Sequence, residues 1–176
     1  LDSDREQGNL AFGLYSKIIL SGNTPTVSSI SFQKDDLEDL TLGNEILFEL
    51  YEKYTKWKHE TGKYDFNDML KKVIERKLHP NVDVLIVDEF QDFGELQYQV
   101  YSLWKQQVNE VRIAGDDDQS IYAFLSANPK YLLNEPGEEK ILKTNHRTPE
   151  DIFAYATTFI KQNNFASAEE CYRMTL

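Results

Sequence analysis

The 176-residue chain lacks the features that define several protein classes. It contains a single cysteine, Cys171, so no internal disulfide can form, which is typical of a reducing, intracellular setting. Its first residues are acidic and polar, unlike those of a secretory signal peptide. No apolar run approaches the roughly 20 residues that a membrane-spanning helix needs. We therefore expect a soluble, cytoplasmic protein with no membrane partner.

Positive charge is also scarce. The chain has 19 Lys and Arg against 30 Asp and Glu, which gives a formal net charge of −11. Broad electrostatic binding to nucleic acid needs a positive face. Any contact with nucleic acid must therefore be local, or must be made by parts of a protein outside this chain.

A third absence concerns phosphate binding. A loop of the pattern Gly-x-x-x-x-Gly-Lys-Ser/Thr holds phosphates with its backbone N–H groups and its lysine. None of the eight glycines is followed by Lys-Ser or Lys-Thr in that frame. The main phosphate-binding element of a nucleotide site is thus missing from the sequence.

The apolar pattern becomes clear from about residue 42, where helical runs lead into an α/β pattern. Residues 82–87 form a short, β-branched apolar run, which predicts a strand buried on both faces of a parallel sheet. Residues 111–114 and 140–142 predict two further strands, with helical patterns between and after them. This alternation predicts a parallel sheet flanked by helices, with ligands at the carboxyl ends of the strands. The pattern of residues 1–62, which precede the predicted sheet, indicates a mostly helical segment.

Local signals mark the ends of two predicted helices. Gly62 ends an amphipathic run, and Asp65 is a suitable N-cap for the helix that follows it. Asp68 then lies in the first helical turn, where an acidic side chain is favourable.

Acidic clusters follow two of the predicted strands. Asp88 and Glu89 come directly after residues 82–87, and residues 116–118 follow the second strand. Asp88 could hold Mg²⁺ through hard oxygen ligands, and Glu89 could orient and deprotonate a water aimed at a terminal phosphate. From the apolar run and two acids alone, a strand that ends in solvated carboxylates is an equally good interpretation.

Four elements in a fixed order resemble the UvrD/Rep-type superfamily 1 DNA helicases. They are an Asp-Phe element at 64–70 and segments similar to motifs II, III and IV at 88–92, 114–124 and 142–149. The resemblance implies a partial RecA-like parallel sheet, with ATP and Mg²⁺ as cofactors. It also implies ATP-driven movement on single-stranded DNA, usually in the 3′ to 5′ direction.

The resemblance further implies roles for individual residues. Asp88 corresponds to the magnesium-binding aspartate, and Glu89 to the catalytic base. Gln119 corresponds to a glutamine that senses the terminal phosphate. Arg147 corresponds to an arginine that reaches this phosphate across a domain interface, a task that suits a planar, permanently charged guanidinium.

Other residues are implied to bind nucleotide or DNA. Gln91 and His146 are nucleotide-binding candidates, although His146 stands where the family has a tyrosine that stacks on adenine. Tyr122 and Phe124 correspond to aromatic residues beside the single strand, where base stacking is worth roughly 1–3 kcal/mol per base. Packing within a short helix is the competing interpretation of both rings.

With the phosphate-binding loop and the later motifs missing, the resemblance predicts an internal piece of a longer motor. Residues 1–62 would end a helical insertion of the first motor domain. Residues 63–140 would form the back part of that RecA-like domain, and residues 141–176 would begin the second. The remaining helicase domains would then be partners of this piece, which alone should bind ATP poorly and not hydrolyse it.

Two other hypotheses stay open at this point. The chain could be a non-catalytic module that has lost the loop and binds a partner through an exposed sheet edge. Alternatively, the chain could be a metal-dependent nuclease whose two-metal site is formed by six carboxylates: Asp88, Glu89, Asp92, Asp116, Asp117 and Asp118.

Overall fold

A computed structural model describes residues 2–34, 37, 39–120, 126–142, 144–162 and 173–175. Within these residues the fold is a mixture of helices and a four-stranded sheet. The helices are α1 (Asp2–Leu20), α2 (Val27–Lys34), α3 (Asn44–Thr61), α4 (Phe66–Glu75), α5 (Glu95–Lys105), α6 (Lys130–Leu133) and α7 (Glu150–Gln162). The strands are β1 (Val84–Val87), β2 (Glu110–Gly115), β3 (Glu139–Ile141) and β4 (Arg173–Thr175). None of the described helices has the length and apolarity needed to cross a membrane.

The first three helices pack around one apolar core, which we name the helical cluster. Its buried members are Ala11, Leu14, Tyr15, Ile18, Ile30, Leu40 and Leu47. The Tyr15 hydroxyl donates a hydrogen bond of 2.7 Å to the Leu47 carbonyl, and burial raises the pKa of Tyr15 to about 12. The prediction that the chain begins with a mostly helical segment is confirmed. Its assignment to a motor-domain insertion stays a prediction.

The corner between α3 and α4 forms where the sequence signals place it. Gly62 ends α3 with a φ of 63°, a left-handed conformation that glycine adopts without a Cβ penalty. Asp65 caps α4, because its side chain accepts from the Asp68 N–H while the Asp68 carboxylate accepts from the Asp65 N–H. The two predicted helix ends are therefore confirmed.

A buried lysine links the two helices at this corner. Lys58 of α3 places its ammonium 2.7 Å from a carboxylate oxygen of Asp65 and 2.7 Å from one of Asp68. Burial alone would raise the pKa of Asp65, but the hydrogen bonds from Lys58 and the Asp68 N–H outweigh it and hold this pKa below its ordinary value. One cation thus joins the end of α3 to the start of α4.

The sheet has the strand order β1-β2-β4-β3. β1 and β2 are parallel, with Val84 opposite Glu110 and Val87 opposite Ile113. β4 runs antiparallel to both β2 and β3. The prediction of parallel strands is therefore confirmed for β1 and β2. The prediction of a parallel sheet is wrong for the sheet as a whole, because β4 lies between β2 and β3 and runs antiparallel to both.

The prediction that β1 is buried on both faces is also wrong. Leu85 and Val87 are partly buried, whereas Val84 and Ile86 are 42% and 70% exposed. Successive side chains of a strand point to opposite faces, and the described residues cover only one face of β1. A continuous apolar run therefore does not establish that both faces are covered.

A second core, which we name the sheet cluster, lies against the covered face. It consists of Phe90, Tyr101, Ile113 and Leu132. Phe90 is fully buried, with its ring centroid 4.7 Å from those of Phe93 and Tyr101. Phe90 directly follows the acidic pair at the end of β1, so this core anchors the segment that carries the candidate chemistry.

Candidate active site

The two acidic clusters meet at one edge of the sheet. β1 and β2 are parallel and end within two residues of each other in register, at Val87 and Gly115. The acids that follow β1 and those that follow β2 therefore leave the sheet on the same side. This is the position that the sequence predicts for a ligand site of a parallel sheet.

Glu89 has an unusual backbone conformation at this edge. Its φ of 53° and ψ of 42° lie in the left-handed region, which costs a non-glycine residue on the order of 1–3 kcal/mol. The Glu89 N–H donates a 3.0 Å hydrogen bond to Asp88 Oδ1, and Phe90 enters the sheet cluster directly afterwards. The turn directs the chain from the strand into a short 3-10 helix, Phe90–Asp92, while both acidic side chains stay exposed.

Gln91 lies beneath these acids and contacts both clusters. Its side-chain Nε2 donates to Glu89 Oε2 at 2.8 Å, and its Oε1 accepts from the Asp116 N–H at 3.0 Å. A Cβ added to Gly115 would lie 2.5 Å from Gln91 Oε1, so the absence of a side chain there makes room for this contact. The glutamine thus bridges the ends of β1 and β2.

Gln119 completes a chain of hydrogen bonds. It ends the 3-10 helix Asp117–Gln119, and its Nε2 donates to the buried carboxylate of Asp116. Hydrogen bonds thus connect Glu89 to Gln91, Gln91 to Asp116, and Asp116 to Gln119. We refer to these four residues as the Glu89–Gln119 chain. The structure brings together four of the predicted site residues: Asp88, Glu89, Gln91 and Gln119.

Asp92 is a partly buried carboxylate next to this chain. Its Oδ1 is inaccessible to solvent and has no hydrogen-bond partner among the described residues. Burial raises the pKa of Asp92, and the negative charge of Glu89 raises it further. The sequence gives Asp92 no individual role, because nothing in its spacing distinguishes it from the solvated acids nearby.

His146 and Arg147 lie on a separate, exposed turn after β3. Asn145 organises this turn by accepting from the backbone N–H groups of Arg147 and Thr148 at 3.2 and 3.0 Å and by donating to the Thr148 carbonyl. The hydrogen bonds described for this segment all lie within the turn. In this structure the two residues are therefore not joined to the Glu89–Gln119 chain.

The two predicted DNA-stacking residues, Tyr122 and Phe124, lie outside the described residues. The chain that follows them is held by two long-range contacts. The Ser126 hydroxyl donates to the Lys17 carbonyl at 2.8 Å, and the Asn128 N–H donates to the Phe93 carbonyl at 2.9 Å. The segment after motif III is thereby attached both to α1 and to the residues that follow motif II.

Metal binding can be judged for the described part of the chain. There, no group of three or more His, Cys, Asp or Glu side chains is arranged to hold a metal ion. The two-metal nuclease hypothesis therefore gains no support from the described carboxylates. Asp88, exposed at the end of a strand, has the hard oxygen donors that suit a Mg²⁺ ion shared with phosphates and water.

Comparison with known proteins identifies the family of the chain. A model described as the UvrD/REP helicase N-terminal domain matches residues 21–139. The chain belongs to the UvrD/REP helicase family. The region matched to this helicase domain contains β1, β2 and the whole Glu89–Gln119 chain.

Individual members of the UvrD/REP family are similar over about the same region. DNA helicase II of Escherichia coli is 34% identical over 129 aligned positions, and the alignment covers 65% of this chain and 18% of that protein. The ATP-dependent DNA helicase Rep of Buchnera aphidicola is 30% identical over 128 aligned positions, with 65% of this chain and 20% of that protein covered. The ATP-dependent DNA helicase PcrA of Leuconostoc citreum is 28% identical over 134 aligned positions, with 68% of this chain and 18% of that protein covered. The chain therefore matches less than a quarter of the length of each of these relatives.

Proposed function

We propose that this chain supplies part of the ATP-hydrolysis site of an ATP-dependent DNA helicase that moves on single-stranded DNA, in the 3′ to 5′ direction. The observation that carries the proposal is the Glu89–Gln119 chain, which connects the candidate base to the candidate phosphate sensor. Membership of the UvrD/REP family and the names of relatives such as the ATP-dependent DNA helicase Rep support it.

The exposed side chains at the sheet edge suit the proposed chemistry. Asp88 would hold Mg²⁺, which when bound neutralises phosphate charge. The Glu89 carboxylate would orient a water molecule towards the terminal phosphate and accept its proton. Gln119 would contact that phosphate, because its side chain is at the solvent-facing end of the hydrogen-bonded chain.

The remaining site residues would complete the motor from other surfaces. We propose that Arg147 reaches the terminal phosphate and His146 contacts the base, both from the start of a second RecA-like domain at about residue 141. Tyr122 and Phe124 would stack on the single strand. Because the phosphate-binding loop is missing from the sequence, we further propose that residues 1–176 alone bind ATP poorly and do not hydrolyse it.

The test is Glu89→Gln in the helicase that contains this chain. Loss of a general base lowers rates by about 10²–10⁴-fold, so single-stranded-DNA-stimulated ATP hydrolysis should fall by at least 10²-fold. Glu75→Gln, an exposed position on α4, is the matched control and should leave the rate unchanged. Full activity of the Glu89→Gln helicase would disprove the assignment of the base. Mg²⁺-dependent hydrolysis by residues 1–176 alone would disprove the proposed inactivity.

One observation favours the alternative of a non-catalytic interaction module. β1 is one of the two edge strands of the described sheet, and its side chains Val84 and Ile86 are exposed. An edge strand can pair with another chain. The natural reading frame upstream of Leu1 decides between the two functions, because a phosphate-binding loop there supports the helicase, whereas a start at Leu1 supports the module.

A further inference from the structure

We propose that Gln91 is a positioning residue for ATP hydrolysis, which fixes the carboxylate of Glu89 and couples it to the turn that carries Gln119. This inference rests on the proposed helicase function and changes one part of it. The sequence resemblance implies that Gln91 binds nucleotide, whereas its surroundings point to a role behind the nucleotide.

Burial separates Gln91 from any ligand. The residue is 1% exposed, whereas Asp88, Glu89 and Gln119 around it are exposed. Its amide is also engaged on both sides, by Glu89 Oε2 and by the Asp116 N–H. A nucleotide at the sheet edge would therefore touch the acids above Gln91 and not Gln91 itself.

The chemistry of the partners fixes the orientation of the amide. A backbone N–H can only donate, so Gln91 Oε1 must face Asp116. An ionised carboxylate can only accept, so Nε2 must face Glu89. The two assignments agree, which means that a flipped amide would place acceptor against acceptor and donor against donor.

Few side chains can replace glutamine at this position. A glutamate has the same size and accepts from the Asp116 N–H, but it has no donor for Glu89 and adds a second negative charge beside it. A methionine has a similar length and makes neither hydrogen bond. The backbone is adapted as well, because a side chain on Gly115 would collide with Gln91 Oε1.

The geometry gives Gln91 two effects on Glu89. The hydrogen bond that Gln91 donates restrains the carboxylate of Glu89, a residue with a left-handed backbone and an otherwise exposed side chain. The hydrogen bond that Gln91 accepts from the Asp116 N–H links this restraint to Asp116, whose side chain Gln119 contacts. A displacement of the Gln119 turn would therefore change the position of the candidate base, 30 residues away in the sequence.

The experiment measures kcat and KM for ATP in the helicase that contains this chain, with saturating single-stranded DNA. Gln91→Glu and Gln91→Met should each lower kcat measurably, by up to about 10²-fold, which is the effect of displacing a catalytic group by about 1 Å. The KM for ATP should change less than about twofold, because neither substitution alters a group that contacts bound ATP. Gln99→Met, an exposed glutamine of α5, is the matched control and should leave both constants unchanged.

A double-mutant cycle tests whether Gln91 acts through Glu89. If it does, Gln91→Glu should have little further effect on the residual rate of the Glu89→Gln helicase, so the two losses do not multiply. All rates are taken below the thermal unfolding midpoint of each variant. If Gln91→Met does not fold, Gln91→Glu remains available as the test, because it keeps the size of the side chain and the contact with the Asp116 N–H.

The possible outcomes separate the two proposals. A helicase that shows no ATP hydrolysis before any substitution refutes the proposed function. If that activity is present, a raised KM with unchanged kcat would identify Gln91 as a nucleotide contact and overturn the positioning role. Losses that multiply in the double variant would overturn it too, since Gln91 would then act independently of Glu89.

Discussion

The helical cluster and the sheet cluster are two cores of one chain that differ in composition. The helical cluster has one aromatic residue among its seven buried members, Tyr15, whose hydroxyl is satisfied by a backbone carbonyl, and Phe48 and Tyr51 pack against the cluster. In the sheet cluster two of four members are aromatic, and three further rings pack against it, Phe93, Tyr98 and Tyr131. Stacked and edge-on rings fix relative orientations more strictly than aliphatic contacts do.

Polar groups explain the difference. Glu135 is buried beside the sheet cluster and accepts hydrogen bonds from Tyr98 and Tyr101, while Lys105 pairs with it. Gln91 is buried on the side that faces the acids. Rings with hydroxyl groups can pack against a core and still satisfy such neighbours. The helical cluster supplies stability, whereas the sheet cluster also holds polar groups in fixed positions.

The largest expected effect is that of Phe90→Ala. Removing a fully buried phenylalanine costs about 3–5 kcal/mol, because a cavity remains where the ring was. Urea unfolding of residues 1–176 should show this loss relative to Phe32→Ala, a matched control on the exposed side of α2. ATP hydrolysis by the helicase should also fall, since Phe90 anchors the turn of Glu89. Normal hydrolysis at a temperature where the variant is folded would show that the sheet cluster does not position the site.

Leu14→Ala tests the other core. Leu14 is buried in the helical cluster, and its truncation should cost about 2–5 kcal/mol in the same urea experiment. In contrast to Phe90→Ala, it should leave kcat for ATP unchanged below the unfolding midpoint, because no hydrogen bond of the Glu89–Gln119 chain involves α1. A reduced kcat in folded protein would remove the distinction between the two cores.

The sequence predicts local features of this molecule better than long-range ones. The Asp65 cap and the Gly62 helix end were predictable, since each depends on residues within one turn. The Gln91 bridge was not, because Gln91 and Asp116 are separated by 25 residues and a polar residue between acids gives no sign of burial. The exposure of Ile86 was equally hidden, because an apolar run shows what can be buried and not what covers it.

A smaller effect is expected from Lys58→Met, which keeps the buried stem and removes the charge. Hydrogen bonds to charged groups contribute about 1.5–3 kcal/mol, and this variant leaves Asp65 and Asp68 without their cation. The free energy of unfolding should fall by about that amount at pH 7. Lys56→Met on the same helix is the control, since its exposed pair with Glu60 is worth about 0–1 kcal/mol. Equal effects of the two substitutions would contradict the importance of burial.

The same variant predicts a pH dependence. The folded-state pKa of Asp65 is depressed, so its stabilising contribution is present above the unfolded value of about 3.9 and is lost as pH falls through the folded value. The pKa of Lys58 is raised, because its hydrogen bonds to Asp65 and Asp68 outweigh burial. Its contribution is therefore lost only as pH rises through that folded value. The difference between the parent chain and Lys58→Met should thus be constant near neutral pH and shrink below about pH 4.

The smallest effect comes from two glycines that differ in backbone conformation alone. Gly62 at the end of α3 and Gly8 within α1 both have open space where a Cβ would be, so neither substitution to alanine causes a clash. At Gly62 the φ of 63° penalises a Cβ by about 1–2 kcal/mol. At Gly8 alanine is the better helix residue by about 0.5–1 kcal/mol. Urea unfolding should therefore show Gly62→Ala as destabilising and Gly8→Ala as stabilising. Effects of the same sign would mean that the α3–α4 corner does not depend on its left-handed residue.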